Sequence, residues 1–96
     1  MTAPHYLQDL KDVITAFDPK GLNRYFVFGS SVRKDRFHDI DIGVLGNRAS
    51  SKNLAALQEY FYDCAIPYPV QVVDFDAADV DFRTYVFDNE PLVWIT

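Results

Sequence analysis

The chain has 96 residues, of which 49% are hydrophobic and 16% aromatic, so it can bury a core and differs from disordered proteins in composition. Nine basic residues against fourteen acidic ones give a net charge of −5, which excludes a general basic surface for nucleic acid. A single cysteine cannot form an internal disulfide, no apolar run is long enough to span a membrane, and the first residues do not resemble a secretory signal. We therefore expect one soluble domain over residues 1–96, located in the cytoplasm.

Hydrophobic spacing predicts the helices and strands in chain order. Apolar residues at three-and-four spacing from Tyr6 to Phe17 predict a first helix, and the aromatic run from Arg24 to Phe28 predicts a buried strand. The other predicted elements are a strand over His38–Leu45, a helix over Ser50–Cys64 capped by Ser50 or Ser51, a strand over Val70–Phe75, a short helix from about Ala78 to Phe87 and a strand over Leu92–Ile95. This order favours an α+β fold in which a small mixed β-sheet is covered by helices, and it leaves the strand order open.

Two acidic residues alternate with apolar ones at the start of the second predicted strand. Asp39 and Asp41 stand two positions apart, so a strand places both carboxylates on one face, about 6 to 7 Å apart. Carboxylates at this spacing can share a Mg²⁺ ion or hold two adjacent ones, as nucleotidyl transfer requires. The alternation therefore predicts Asp39 and Asp41 as metal ligands and catalytic residues.

The turn after the first predicted strand can bind phosphate. Glycine at position 29 lets the backbone approach a phosphate, Ser30 can donate its hydroxyl, and Arg33 can neutralise phosphate charge. Taken separately, a Gly-Ser pair is more often an ordinary turn, and basic residues after it are more often a solvated loop. An Asp-Ile-Asp triplet is more often the exposed face of an edge strand. Their combination, with eight residues between Ser30 and Asp39, is harder to reach by chance and favours a magnesium–nucleotide site.

The segment from Phe28 to Val44, FGSSVRKDRFHDIDIGV, resembles the signature of the polymerase β nucleotidyltransferase superfamily, in particular its minimal nucleotidyltransferases. The length and the arrangement of elements are similar to whole small members of that group. The resemblance implies the nucleotidyltransferase fold, a nucleoside triphosphate as substrate and Mg²⁺ as cofactor. It implies that Gly29 and Ser30 contact the phosphates, that Asp39 and Asp41 coordinate the metal, and that Arg33 is the basic residue after the turn. It also implies a separately encoded helical HEPN-type protein as partner.

The chain departs from the family pattern in ways that bear on catalysis. Ser31 and Lys34 stand where the family commonly has arginine and glycine, and the loop before Asp39 is shorter than usual. Gln71 stands where the third carboxylate is expected, and an amide cannot act as a base and binds magnesium weakly. Strand alternation puts Asp74 on the opposite face, so its use there would require a bulge or a shifted register.

Two functions fit the sequence. The first is an enzyme that transfers a nucleoside monophosphate to a protein or nucleic-acid acceptor, as antitoxin or catalytic half of a HEPN pair; the intact Asp39 and Asp41 favour it. The second is a degenerate module that binds nucleotide or a partner without catalysis, which Gln71 favours. A third possibility, a structural domain that binds no ligand, would leave the combination of the Gly29–Ser30 turn with Asp39 and Asp41 unexplained. Self-association is a further expectation, because a small interior cannot bury all fifteen aromatic residues.

Overall fold

The computed structural model describes residues 4–33, 38–46, 54–64 and 66–95. Within these ranges the helices are α1 Pro4–Phe17, α2 Ser30–Arg33, α3 Leu54–Tyr62 and α4 Val80–Asn89, and the strands are β1 Arg24–Phe28, β2 Ile40–Leu45, β3 Val70–Asp74 and β4 Val93–Trp94. Every element expected from the hydrophobic spacing is present, and α2 is an additional single turn. The expected cap at Ser50 or Ser51 lies outside the described residues. No helix in the described ranges is long and apolar enough to cross a membrane.

The four strands form one mixed sheet in the order β3-β2-β1-β4. Strand β1 pairs antiparallel with both β2 and β4, whereas β2 and β3 are parallel. Parallel neighbours cannot be joined by a tight turn, which is why a helical crossover containing α3 connects β2 to β3. The predicted α+β fold with a helix-covered mixed sheet is confirmed.

Helices α1 and α3 cover one face of the sheet. Leu10 and Ile14 of α1 and Leu57 and Phe61 of α3 are buried there, each pair about one helical turn apart as an amphipathic stripe requires. They pack against alternate strand residues, namely Tyr25, Val27, Ile40, Ile42, Val44 and Val70. The apolar residues that recur along α1 therefore face the core, as their spacing predicts.

The other face of the sheet carries a mainly aromatic core under α4. Phe26, Phe28, Phe75 and Val86 are buried in this cluster. The Phe26 ring lies 4.9 Å from the ring of Phe75, measured between centroids. Because both faces are covered, β1 is buried at every position after Arg24, which explains its unbroken apolar run.

A glycine in the neighbouring strand makes room for the Phe26 ring. Gly43 is the register partner of Phe26, and a Cβ atom at position 43 would lie 2.2 Å from the Phe26 Cζ. That separation is far below van der Waals contact, so the ring occupies the space that any larger residue would need. Gly43 is therefore required by packing, independently of its backbone conformation.

The turn between α1 and β1 is fixed by one carboxylate. Asp18 accepts hydrogen bonds from the backbone N–H groups of Leu22 and Asn23, at 2.9 and 3.0 Å, and from the Tyr25 hydroxyl at 3.0 Å. Burial opposes ionisation, but these hydrogen bonds outweigh it and lower the pKa of Asp18 below its ordinary value. The carboxylate thus anchors the start of β1 to the end of α1.

Substitution of Gly43 by alanine is expected to lower the free energy of unfolding by about 1 to 3 kcal/mol, the usual cost of overpacking a core. Urea unfolding measures this loss. Gly21→Ala is the matched control, because a Cβ atom there meets nothing within 4 Å and only the positive φ of 64° costs stability. The penalty of Gly43→Ala should shrink in a Phe26→Leu background. An equal penalty in both backgrounds would show that the ring is not its cause.

Candidate active site

The residues predicted to bind metal and phosphate meet at one end of the sheet. Strand β1 ends at Phe28, and the next residue, Gly29, forms the turn into α2. Asp41 is the register partner of Phe28 on one side and of Gln71 on the other. Directly paired residues share a face of the sheet, so Asp41 and Gln71 lie side by side on the α4 face.

Gly29 and Asp41 are in direct contact. Gly29 has a φ of 85°, and a Cβ atom built on it would lie 2.7 Å from the Asp41 Oδ2. The carboxylate therefore lies against the Gly29 backbone at a point that only glycine leaves free. The turn itself is closed by hydrogen bonds from the N–H groups of Val32 and Arg33 to the Gly29 carbonyl, at 3.1 and 3.3 Å.

The two aspartates form a region of concentrated negative charge. Burial, and to a lesser extent the nearby charge of Asp39, raises the pKa of Asp41 above its ordinary value. Among the described residues no hydrogen bond to the Asp41 carboxylate compensates this charge. A pair of crowded carboxylates with free oxygen atoms suits a hard divalent cation such as Mg²⁺.

Among the described residues, the candidate cation site offers two carboxylates, those of Asp39 and Asp41. No group of three His, Cys, Asp or Glu side chains placed to hold a metal ion occurs within the described ranges. Asp39 and Asp41 therefore fit a divalent ion whose other ligands come from water and substrate phosphates, which is the usual coordination of magnesium.

A depression of about 170 Å³ lies beside Asp39, and Gln71 lines it together with that aspartate. Its other lining residues are Gln58, Tyr62, Pro69 and Val70. Gln58 reaches from α3 to β3, where its amide donates to the Val70 carbonyl and accepts from the Val72 N–H at 3.0 Å. Gln71 is exposed, so its amide faces solvent at the mouth of this depression.

Asp74 has a different structural role. Its register partner is Val44, three residues along β2 from Asp41, which corresponds to about 10 Å. The Asp74 carboxylate accepts hydrogen bonds from the N–H groups of Asp76 and Ala77, at 3.0 and 3.3 Å, in the turn that follows β3. The β2–β3 register is continuous from Val70 to Asp74, so no bulge brings this carboxylate to the aspartate pair.

The basic and hydroxyl side chains of the turn are divided between surface and interior. Arg33 is exposed and forms an ion pair with Glu90, with 3.4 Å between Nε and Oε1. Ser31 is fully buried, and its Oγ has no hydrogen-bond partner among the described residues. Ser30 begins α2, while its side chain, like Lys34, lies outside the described part of the structure.

Glu90 and Gln58 are the residues near the site that the sequence did not single out. Glu90 follows α4 and is 57 residues from Arg33, and nothing in its local pattern indicates the ion pair. Gln58 follows Leu57 on the side of α3 that packs against β3, and a polar residue beside an apolar stripe is a usable signal of a specific contact.

Asp41→Asn is expected to stabilise the fold at pH 7. Because folding raises the Asp41 pKa, this group adds stability below the ordinary aspartate pKa, and the contribution is lost as the pH rises through the raised value. Removing the charge should increase the free energy of unfolding at pH 7 by about 0.5 to 1 kcal/mol. The gain should disappear toward about pH 3, where aspartate is protonated in either state.

Thermal and urea unfolding from pH 3 to pH 8 measure this gain, with the exposed Asp9→Asn as the control that removes the same charge from α1. A loss of stability in Asp41→Asn at pH 7 would show that the ionised carboxylate is satisfied in the fold.

Comparison with known proteins places this geometry in a family. No curated protein matches the chain significantly. The sequence profile described as "Polymerase beta, Nucleotidyltransferase" matches residues 8–95, which include every strand, the Gly29 turn and both aspartates. Proteins of this type carry out nucleotidyl transfer and typically use a divalent metal. Since the match spans nearly the whole chain and the fold agrees with it, the chain belongs to the polymerase β nucleotidyltransferase family.

Proposed function

We propose that this protein binds a magnesium-bound nucleoside triphosphate, such as ATP, and transfers a nucleoside monophosphate to a hydroxyl group of a protein or nucleic-acid acceptor. The observation that carries the proposal is the contact between Gly29 and Asp41, because it joins the phosphate turn to the carboxylate pair. Phosphates resting on the turn would lie beside oxygen atoms suited to a divalent cation. Membership of the family supports the same reaction class.

In the transfer, the acceptor oxygen bonds to the α-phosphorus, the bond from that phosphorus to the bridging oxygen breaks, and pyrophosphate leaves. The O–H bond of the acceptor breaks as well, and its proton passes to solvent, because the Gln71 amide beside Asp41 is not a base. When bound, Mg²⁺ supplies charge neutralisation at the phosphate oxygens and favours the ionised acceptor hydroxyl. The chain's own part is to hold the cation with Asp39 and Asp41, to seat the phosphates against Gly29 and Ser30, and to offset their charge with Arg33.

A second candidate function is favoured by Gln71. This amide stands beside Asp41, where a third carboxylate would bind metal or accept the proton of the attacking hydroxyl, and an amide does neither well. Asp74 is held in its own turn. The alternative is therefore a module that binds nucleotide or a protein partner and transfers slowly or not at all.

A protein partner forms part of the proposal. The family resemblance favours a helical HEPN-type protein, with this chain as its antitoxin or catalytic half. Several aromatic side chains are exposed and available for a partner or for self-association, namely Tyr60, Tyr62, Phe82, Tyr85, Phe87 and Trp94. Aromatic residues of this kind are enriched at protein interfaces.

Nucleotide binding is expected to depend on magnesium and on the aspartate pair. Calorimetric titration with ATP, GTP, CTP and UTP should show binding of at least one nucleotide with Mg²⁺ and much weaker binding without it. The variant Asp39→Asn plus Asp41→Asn should lose the magnesium-dependent part, whereas Asp9→Asn should behave like wild type. Equal and negligible binding of all four nucleotides in all three proteins would refute a functioning site.

Transfer is expected to be slow in the wild type and faster in Gln71→Asp. General-base assistance is typically worth about 100- to 10,000-fold, and a carboxylate beside Asp41 would also add a metal ligand. The assay follows labelled nucleotide into a co-expressed helical partner, into the protein itself and into RNA. Asp74→Asn is the control and should leave the rate unchanged. Rapid wild-type transfer that Asp74→Asn abolishes would show that Asp74, not position 71, supplies the third carboxylate.

A further inference from the structure

The ion pair between Arg33 and Glu90 is asymmetric. The Glu90 side chain is 10% exposed, whereas that of Arg33 is 46% exposed. The closest atoms are the Arg33 Nε and the Glu90 Oε1, 3.4 Å apart. Within the described ranges Arg33 makes no other ion pair, so the carboxylate contacts the inner edge of the guanidinium while much of the side chain faces solvent.

Glu90 is held in place from both sides along the chain. Its backbone N–H caps α4 by donating to the Val86 carbonyl at 3.0 Å. Three residues later β4 pairs with β1, with Val93 opposite Val27. Glu90 therefore sits next to the end of β1 at which the Gly29 turn begins. Arg33, by contrast, is the exposed last residue of the single helical turn α2.

We infer that Glu90 is a positioning residue, which holds Arg33 by its Nε edge so that the two terminal nitrogens, Nη1 and Nη2, point toward phosphate. This inference rests on the proposed nucleotide site. A guanidinium has five N–H donors in a fixed plane, so one edge can contact a carboxylate while the other binds a phosphate. Without Glu90, the long and partly exposed Arg33 side chain would have to be ordered at the moment of binding.

Glu90 also carries a charge that opposes nucleotide binding. Its carboxylate repels phosphate and offsets part of the Arg33 charge, so deleting the whole side chain mixes two effects of opposite sign. Glu90→Gln separates them, because the charge is lost while an amide oxygen of the same reach can lie against the Arg33 Nε in place of the carboxylate oxygen. Glu90→Ala removes both the charge and the acceptor. The comparison of these two variants isolates the positioning effect.

The experiment measures the Kd for Mg-ATP and for tripolyphosphate in wild type, Glu90→Gln and Glu90→Ala, each with and without Arg33→Ala. Asp88→Asn is the control for a nearby lost charge. Glu90→Gln should bind as tightly as wild type or more tightly. Glu90→Ala should bind about 3- to 10-fold more weakly than Glu90→Gln, the scale of immobilising one long side chain. In the Arg33→Ala background the two Glu90 variants should be equal.

Equal affinities of Glu90→Gln and Glu90→Ala with Arg33 present would overturn the inference, as would an unchanged difference after Arg33 is removed. The Nε–H signal of Arg33 in the NMR spectrum gives a test that needs no nucleotide. It should be protected from exchange in wild type and Glu90→Gln and lose protection in Glu90→Ala. Absence of nucleotide binding by wild type would refute the proposed function, and the same NMR signal in all three proteins would refute the positioning of Arg33 by Glu90.

Discussion

The packing of the Phe26 ring over Gly43 fixes the register on which the rest of the structure depends. A slip of one residue between β1 and β2 would put Ile42 or Val44 under the ring, where a Cβ atom has no space. The same slip would turn Asp41 into the core formed with α1 and α3. One steric constraint thus sets the aromatic core and also places the second aspartate against the Gly29 turn. Stability and chemistry are linked through that pair of strands.

The candidate site combines the negative charge of Asp39 and Asp41 with the positive charge of the Arg33 guanidinium, which Glu90 contacts. Asp41 is half-buried beside Asp39, so burial and the neighbouring charge both disfavour its ionised form. Under the proposed function, a divalent ion shared by the two carboxylates would offset that cost. Arg33 provides positive charge on the neighbouring turn, and Glu90 connects that turn to the end of α4.

Much of this arrangement follows from local patterns in the sequence. Three elements each follow from one local pattern in the sequence. These patterns are the three-and-four spacing of apolar residues in α1, the unbroken apolar run of β1 and the alternation of polar and apolar residues at the start of β2. The grouping of the Gly29 turn with Asp39 and Asp41 follows because they stand at the ends of two strands joined by a short connection. The position of Gln71 beside Asp41 also agrees with alternation along β3.

Features that depend on long-range packing were beyond sequence reasoning. The strand order, the fit of Phe26 over Gly43 and the Arg33–Glu90 pair each join segments that have no local signal for one another. The single turn α2 has no signal in the hydrophobic spacing, since four residues are too few to establish a period. The interior position of Ser31 was likewise not visible in the turn motif.

The contact of Gln58 with β3 governs how this sheet can meet other molecules. β3 lies at the border of the sheet, and its outward carbonyl and N–H at Val70 and Val72 would otherwise form a template for another chain. The Gln58 amide supplies one acceptor and one donor, as an adjoining strand would, and so it occupies this part of the border from within the same molecule. Fibril-like growth by strand addition is thereby disfavoured on the β3 side. A strand that paired with this part of β3 would first have to displace the Gln58 amide.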